Sequence, residues 1–334
     1  MANEKKRSLA LHRIKLLVIM LALAVLVMAL FMFLLPLTES ADKTPVAGSE
    51  AWMAALPDDA RLGALVLPGT HDSATKHVQL AYFSKCQSLG VGEQLDAGFR
   101  YLDIRLGTDE KTEGFKLMHG FTNCKTGLFG GALKLDAVLA DCYAFLDRNP
   151  TETVLFAVKY EHGDLDAAAV QTRLAAYIAE NPDKWWLGDT LPTLGEARGK
   201  LVLLRRWEDE ADLGAAAGIP FLWADQKGYA DTSLNTVMTD EGSYRLWVQD
   251  RFEYKNTEKW AAFTAGLAAP ADEGDAVLNF LSTKGTATYG HPYQFAERLN
   301  RKLLDLGADE LRGWIVVDYA SPALAAHIYG ANFG

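Results

Sequence analysis

Eight short apolar, β-branched runs recur along this chain, and they restrict its fold more than any other feature. They read ALVLPGTH, RYLDIRLG, FKLMHG, TVLFAVKYEH, GKLVLLRRW, YRLWVQD, AVLNFLST and GWIVVDYA. Amphipathic stretches, such as 133–149, 165–179 and 293–306, lie between several of them. Strands alternating with helical patterns imply a parallel sheet with crossover helices. Eight of them suggest closure into a β/α barrel, where reactive groups gather at the C-terminal strand ends.

Those strand ends are unusually rich in ionisable residues. In order they present His71 with Asp72, Asp103 with Arg105, His119, Lys159, Arg206, Asp250, Ser282 with Thr283, and Asp318. Exposure of strand ends accounts for any one of these charges. It does not account for a ring of two imidazoles, four carboxylates and three cations. Paired imidazoles suit a reaction that takes a proton from one oxygen and gives one to another near neutral pH. An arginine adds a planar fork of donors matched to phosphate oxygens. No spacing typical of zinc, such as HExxH, is present. Together these groups form a minimal apparatus for metal-free phosphoryl transfer, in which positioning and charge stabilisation do most of the catalysis.

Leu16–Leu35 is a run of apolar residues uninterrupted by charge, just behind a basic cluster. About 20 apolar residues is the length a helix needs to cross a bilayer. The run ends in Pro36-Leu37-Thr38-Glu39-Ser40, a poor cleavage site, so it fits an uncleaved anchor better than a cleaved signal. Positive charge stays cytoplasmic, which puts the body outside. The expected organisation is a basic tail over 1–15, an anchor over 16–37, a polar linker over 38–50 and one catalytic domain over 51–334. The net charge of −10 combines +4 in residues 1–37 with −14 in the remainder. An acidic body of that kind repels a phosphate backbone, so nucleic acid is not an expected partner.

Cys142 falls on one helical face with Leu135, Val138, Leu139, Phe145 and Leu146 and reads as a core thiol. Cys86 and Cys124 lie in loops and are either a disulfide pair or two unpaired thiols. Trp185-Trp186 reads as loop packing, with membrane contact as the alternative. Tyr289 and Tyr293 are candidates for the rim of a pocket. The stretch Gly127–Gly131 lacks the Lys-Ser/Thr of a phosphate loop. His12, His77, His162, His291 and His327 receive no catalytic role.

LPGTHDSAT (67–75), EQLDAGFRYLDIRL (93–106) and MHG (118–120), in that order, resemble the X-region of bacterial phosphatidylinositol-specific phospholipases C. The resemblance continues through NPTETVLFAVKYE, TLGEARGKLVLLRRW, LWVQDRFEY and GWIVVDY, covering roughly residues 55–325. It implies an α/β fold, an irregular (β/α)8 TIM-type barrel, here preceded by one N-terminal transmembrane helix. It implies that His71 is the general base acting on an inositol 2-hydroxyl, oriented by Asp318. His119 matches the general acid for the departing diacylglycerol oxygen. Arg105 matches the guanidinium that holds the phosphate, where calcium acts in animal relatives, and Asp72 and Asp103 match carboxylates that orient Arg105 and His119. Lys159, Arg206 and Asp250 match contacts to inositol hydroxyls. Phe252 stands where the family commonly has a Tyr against the sugar ring, so the ring stack survives and the hydroxyl is lost.

The reaction so implied gives diacylglycerol and a 1,2-cyclic inositol phosphate, with no cofactor and no metal. The partner is phospholipid at the membrane surface, approached by a monomer. A metal-dependent glycerophosphodiester phosphodiesterase and a non-catalytic lipid-binding barrel are the competing readings. The absence of a metal motif opposes the first, and the intact set of His71, Arg105 and His119 opposes the second.

Overall fold

A β-strand turns successive side chains to opposite faces, so strand parity sorts this chain into a barrel lining and an outer layer. The computed structural model describes residues 1–207, 218–223, 226, 235–238, 245–272, 275–286 and 290–334. Among them the early strands are Leu67–Thr70 (β1), Tyr101–Thr108 (β2), Phe115–His119 (β3), Thr122–Asn123 (β4), Val154–His162 (β5) and Trp185–Trp186 (β6). Leu201–Arg205 (β7), Ile219–Pro220 (β8), Asn235–Met238 (β9), Arg245–Gln249 (β10), Ala276–Phe280 (β11) and Trp314–Val317 (β12) follow. In space, β8, β7, β5, β2, β1, β12, β11 and β10 run parallel in that order. Among the described residues of this TIM-type barrel no ladder joins β8 to β10.

One expected stave is not a stave. The run FKLMHG, as β3, turns straight back antiparallel onto β2, pairing Thr108 with Phe115. Only residues 109–114 separate the two strands. A parallel crossover takes a dozen residues or more, so this connection can make only a hairpin. The short strands Trp185–Trp186 and Ile219–Pro220 both pair parallel with β7 and take its outer edge instead.

Tyr101, Ala157, Leu204, Val248, Phe280 and Val316 point into the barrel and form its core. Two residues further along the same strands, and so on the same face, come Asp103, Lys159, Arg206, Asp250, Ser282 and Asp318. The same alternation that fills the barrel therefore delivers the polar ring to its mouth. Gly69 in β1 is required by crowding at this point. A Cβ there would lie 2.9 Å from the Cβ of Tyr101 and 3.1 Å from Cγ2 of Val316.

On the outside, helix Leu135–Arg148 buries Leu135, Val138, Leu139, Cys142, Phe145 and Leu146, the face its spacing predicts. They pack against the outward side chains of β2 and β5, including Leu102, Ile104 and Phe156. At the start of β2, Arg100 is fully buried with Glu152, its Nε and Nη2 donating to Oε2 at 2.9 and 2.8 Å. The remaining guanidinium hydrogens go to backbone carbonyls of Leu95, Phe99, Ser49 and Glu50. Removing one partner of such a pair strands a buried charge, so Glu152→Ala is expected to lose about 3–5 kcal/mol of stability. A urea unfolding midpoint measures this; a loss below about 1 kcal/mol would mean that water reaches the guanidinium.

The N-terminal helix α1 spans Ala2–Thr38, and its apolar window is wholly unburied. Its apolar surface runs all round rather than along one stripe, which suits a hydrocarbon environment and not a barrel flank. Residues 38–50 are mostly exposed, with two exceptions. Glu39 and Ser49 are buried against the body, Glu39 on His291 and Ser49 on the Tyr329 hydroxyl. Both partners lie more than 250 positions away, so composition alone presents these residues as solvated.

Candidate active site

The GTHDS turn follows β1 and is held by its own side chains. Ser73 Oγ meets Thr70 Oγ1 at 2.7 Å and accepts from the Asp103 backbone N–H at 2.8 Å. The Ser73 N–H donates to the Asp103 carbonyl, which locks the turn to β2. Gln87 donates to the carbonyls of His71 and Val317 and so ties β1 to β12. Within the turn Asp72 takes a left-handed backbone, φ 44°. That conformation is costly for a residue with a side chain and marks a place where geometry has overridden local preference. Its effect is to bring the Asp72 carboxylate back beneath the mouth, beside residues of the opposite parity.

The result is one continuous charge cluster. His71 Nδ1 lies 2.8 Å from Asp318 Oδ1. A carboxylate can only accept, so Nδ1 carries a hydrogen and Nε2 faces the mouth, 3.2 Å from Asp72 Oδ2. His119 Nδ1 donates to the Ser84 carbonyl at 2.9 Å. Its Nε2 therefore also faces inward, 3.4 Å from the same Asp72 oxygen. The two rings stand 6.3 Å apart, nearly perpendicular. Arg105 completes the floor, with Nε 3.1 Å from Asp72 Oδ1, Nη2 3.0 Å from Asp103 and Nη1 3.1 Å from Glu161. None of the Asp72 contacts is a well-aligned hydrogen bond. Looseness of this kind is common before a substrate seats itself.

The charges set each other's protonation. Burial works against an imidazolium at His71, but Asp318 and Asp72 outweigh it and raise the group to about 9. Burial raises the Asp72 carboxyl, and Arg105, His119 and His71 offset only part of that. Asp103 is held below the usual carboxylate range despite burial, because Arg105 sits against it. Glu161 is lowered too, with Arg105 and Lys159 overcoming its burial. A basic group raised in the folded state stabilises it most while the unfolded form is still protonated. For His71 that contribution is full below about 6.5 and is lost as pH rises through about 9. An NMR titration of the ring is expected to read about 9 in the resting protein and clearly lower in Asp318→Asn. An unchanged titration in that variant would remove Asp318 as the partner that sets the charge.

Above the cluster opens a cavity of about 760 Å³. His71, Arg105, His119, Lys159, Arg206, Asp250, Phe252 and Asp318, all singled out by sequence, line it. Asp72 and Asp103 lie directly beneath, fully buried. Sequence reading missed three members. Glu161 follows Lys159 by two residues on β5, so the period-2 rule that selects Lys159 selects it as well. Trp223 lies under the Arg206 guanidinium at 3.6 Å and donates its indole N–H to Asp250 at 3.0 Å. Nothing in the local sequence signals Trp223, which follows the two-residue stave β8. Ser84 contributes only a carbonyl, and no pattern of side chains reveals a backbone atom.

Cys86 and Cys124 are free buried thiols and form no disulfide. They face different interiors, Cys86 on the cavity and Cys124 in the outer core with Val78 and Leu117. Burial pushes both thiols well above their usual range, so neither is a ready thiolate. His71, Asp72 and Cys86 bring possible metal ligands within 4.8 Å of one another. Trp185 packs in the core, its indole donating to the Tyr143 hydroxyl. Tyr293 lies edge-on to Tyr319 at 4.8 Å, and Tyr289 lies outside the described residues.

Fold and site together define a TIM-type barrel enzyme equipped for acid–base chemistry on an anionic group. The sequence model of the phosphatidylinositol-specific phospholipase C X domain matches residues 69–207. The 1-phosphatidylinositol phosphodiesterase of Staphylococcus aureus (strain Newman) is 28% identical over 304 residues, 85% of this chain and 91% of that protein. Its Listeria monocytogenes counterpart is 27% identical over 303 residues, 85% of each. A solved structure of the S. aureus phosphatidylinositol-specific phospholipase C has a TM-score of 0.68 at 23% identity, covering 85% of this chain and 97% of that one. Residues 69–207 thus carry the phosphatidylinositol-specific phospholipase C X domain, in a chain similar over 85% of its length to bacterial 1-phosphatidylinositol phosphodiesterases.

Proposed function

We propose that this protein is a membrane-anchored phosphodiesterase that cleaves phosphatidylinositol-type lipids, or lipid-linked inositol glycans, without a metal ion. The observation that carries the reading is the placement of two inward-facing imidazole nitrogens on either side of Asp72, with the Arg105 guanidinium on its floor. His71 Nε2, neutral for the step, takes the proton of the inositol 2-hydroxyl, and that oxygen forms a bond to phosphorus. The bond from phosphorus to the diacylglycerol oxygen breaks, and His119 Nε2 supplies the proton that oxygen needs. Diacylglycerol and a 1,2-cyclic inositol phosphate leave, with His71 protonated and His119 neutral. Asp318 steadies the imidazolium formed at His71, and Arg105 meets the charge on the phosphoryl oxygens.

Arg105 reaches Asp72, Asp103 and Glu161 at once and so stands as a fixed cation at the mouth, which supports charge stabilisation by a guanidinium. Lys159, Arg206 and Asp250 offer polar contacts to inositol hydroxyls, and Phe252 offers an apolar face to the ring. At the lip, Leu80 and Phe121 line the cavity while remaining 58% and 61% exposed, a surface suited to acyl chains. The apolar helix α1 would keep a monomeric, outward-facing body close to lipid, raising the effective concentration of an acidic protein at an acidic surface.

Phosphorus NMR of products from a small lipid panel, with EDTA present, tests this. A cyclic phosphodiester resonance from inositol lipids alone is the expected result. Activity that vanishes with EDTA and returns with a divalent cation would overturn the metal-free assignment. Equal cleavage of choline and inositol lipids would overturn the attack by a 2-hydroxyl.

A further inference from the structure

The last turn of α1 does not swing free of the barrel. Lys85 Nζ donates to the carbonyls of Pro36 and Glu39 at 2.6 and 2.7 Å, capping groups that a helix end otherwise leaves unsatisfied. Glu39 is 5% exposed, and its Oε1 lies 2.6 Å from His291 Nε2. The other nitrogen of His291 donates to the Tyr82 carbonyl, also at 2.6 Å. The rings of Tyr82 and His291 stack at 4.2 Å. A little further on, the Ala41 N–H donates to Ser88 Oγ.

Tyr82 and Ser84 belong to the helical turn α2 (Ala81–Ser84), and Lys85 caps its end. A turn of four residues cannot hold itself, since one or two hydrogen bonds do not offset the entropy of nucleation. Here it also begins at a left-handed Leu80, φ 49°, with no side-chain cap. The segment 36–41 braces α2 through Lys85 on one side and His291 on the other. The Ser84 carbonyl in this same turn accepts the Nδ1–H of His119. Without residues 36–39, Lys85, only 9% exposed, would lose both carbonyls that hold its ammonium.

We infer that Pro36–Ala41 is a retained strap that positions His119: it clamps α2 so that the Ser84 carbonyl fixes the tautomer and direction of the imidazole. Glu39, Lys85 and His291 are then positioning residues, and α1 is an integral part of the enzyme rather than a removable leader. The inference rests on the reading of His119 as the general acid, and the test separates the two.

Full-length protein in detergent micelles is assayed on two soluble inositol phosphodiesters, one with an alkyl leaving group and one with a nitrophenyl group. The alkyl oxygen needs a proton to depart, and the nitrophenolate does not. Lys85→Met and Glu39→Ala are expected to lower kcat about tenfold or more on the alkyl substrate and less than about twofold on the aryl one, with KM little changed. Glu39→Gln keeps an acceptor for His291 and should restore most of the alkyl activity. Equal losses on both substrates would reduce the strap to a scaffold, and no loss on either would make it idle. If His119→Ala itself shows no preference between the leaving groups, the acid assignment falls, and the inference with it. Should Lys85→Met unfold, the ring nitrogen shifts of His119 in Glu39→Ala read the tautomer directly, and shifts identical to wild type would overturn the strap. Intact mass of the protein recovered from membranes is expected to be that of the whole chain; a chain starting after residue 41 overturns the strap.

Discussion

His71→Ala is expected to lower turnover of phosphatidylinositol by about 10³–10⁴, the upper part of what general acid–base catalysis supplies. The size follows from the position of the ring. Its Nε2 is a mouth-facing imidazole nitrogen whose partner nitrogen is held by a carboxylate, Asp318 at 2.8 Å. The loss should be equally large for alkyl and nitrophenyl leaving groups, because it falls on attack rather than departure. KM should move by only a few fold, since head-group contacts sit elsewhere in the cavity. Asp318→Asn should fall between wild type and His71→Ala. It keeps an acceptor for Nδ1 but withdraws the charge that steadies the imidazolium. Steady-state kinetics on vesicles of defined composition would read all three. A His71→Ala enzyme retaining a tenth of its turnover would end the assignment.

Arg105→Lys carries the second large effect, a fall of about 10²–10³ in kcat, comparable with the loss of one preorganised donor at a developing oxyanion. The substitution is conservative in charge and not in shape. The guanidinium reaches Asp72, Asp103 and Glu161 at once through three different nitrogens. A single ammonium cannot span three carboxylates and still face a phosphoryl oxygen. Lost contacts should also let the buried carboxylates rise toward protonation, since Arg105 is the foremost group holding Asp103 and Glu161 down against burial. The pH dependence of kcat should therefore change shape in Arg105→Lys as well as in height. Unaltered kcat with a raised KM would show instead that the group only binds the ground-state phosphate.

Both effects concern residues that could be named from sequence, and strand parity explains why. The strand runs are long enough to show their period, and in a barrel the inward face at each C-terminal end must line one mouth. Asp103, Arg105, Lys159, Arg206, Asp250 and Asp318 follow from that rule. Glu161 obeys it too, two residues beyond Lys159 on β5. His119 reached the mouth by another route, as the end of an antiparallel hairpin strand. The six-residue connection after β2 is too short for a parallel crossover, so FKLMHG reaches the mouth as a hairpin strand and not as a stave.

By itself, then, the sequence determined the alternation that makes a parallel barrel, the ring of charge at its mouth and the apolar helix ahead of it. These are local and periodic properties, and each run carries its own evidence. Tertiary structure alone decided the rest. It turned Asp72 under both imidazoles through a left-handed backbone, brought Trp223 beneath Arg206, and kept Cys86 and Cys124 apart as buried thiols. It also drew Glu39 onto His291, far along the chain. Those outcomes depend on which distant groups meet, and meeting is settled by packing and charge pairing between segments that have no periodic relation in the chain.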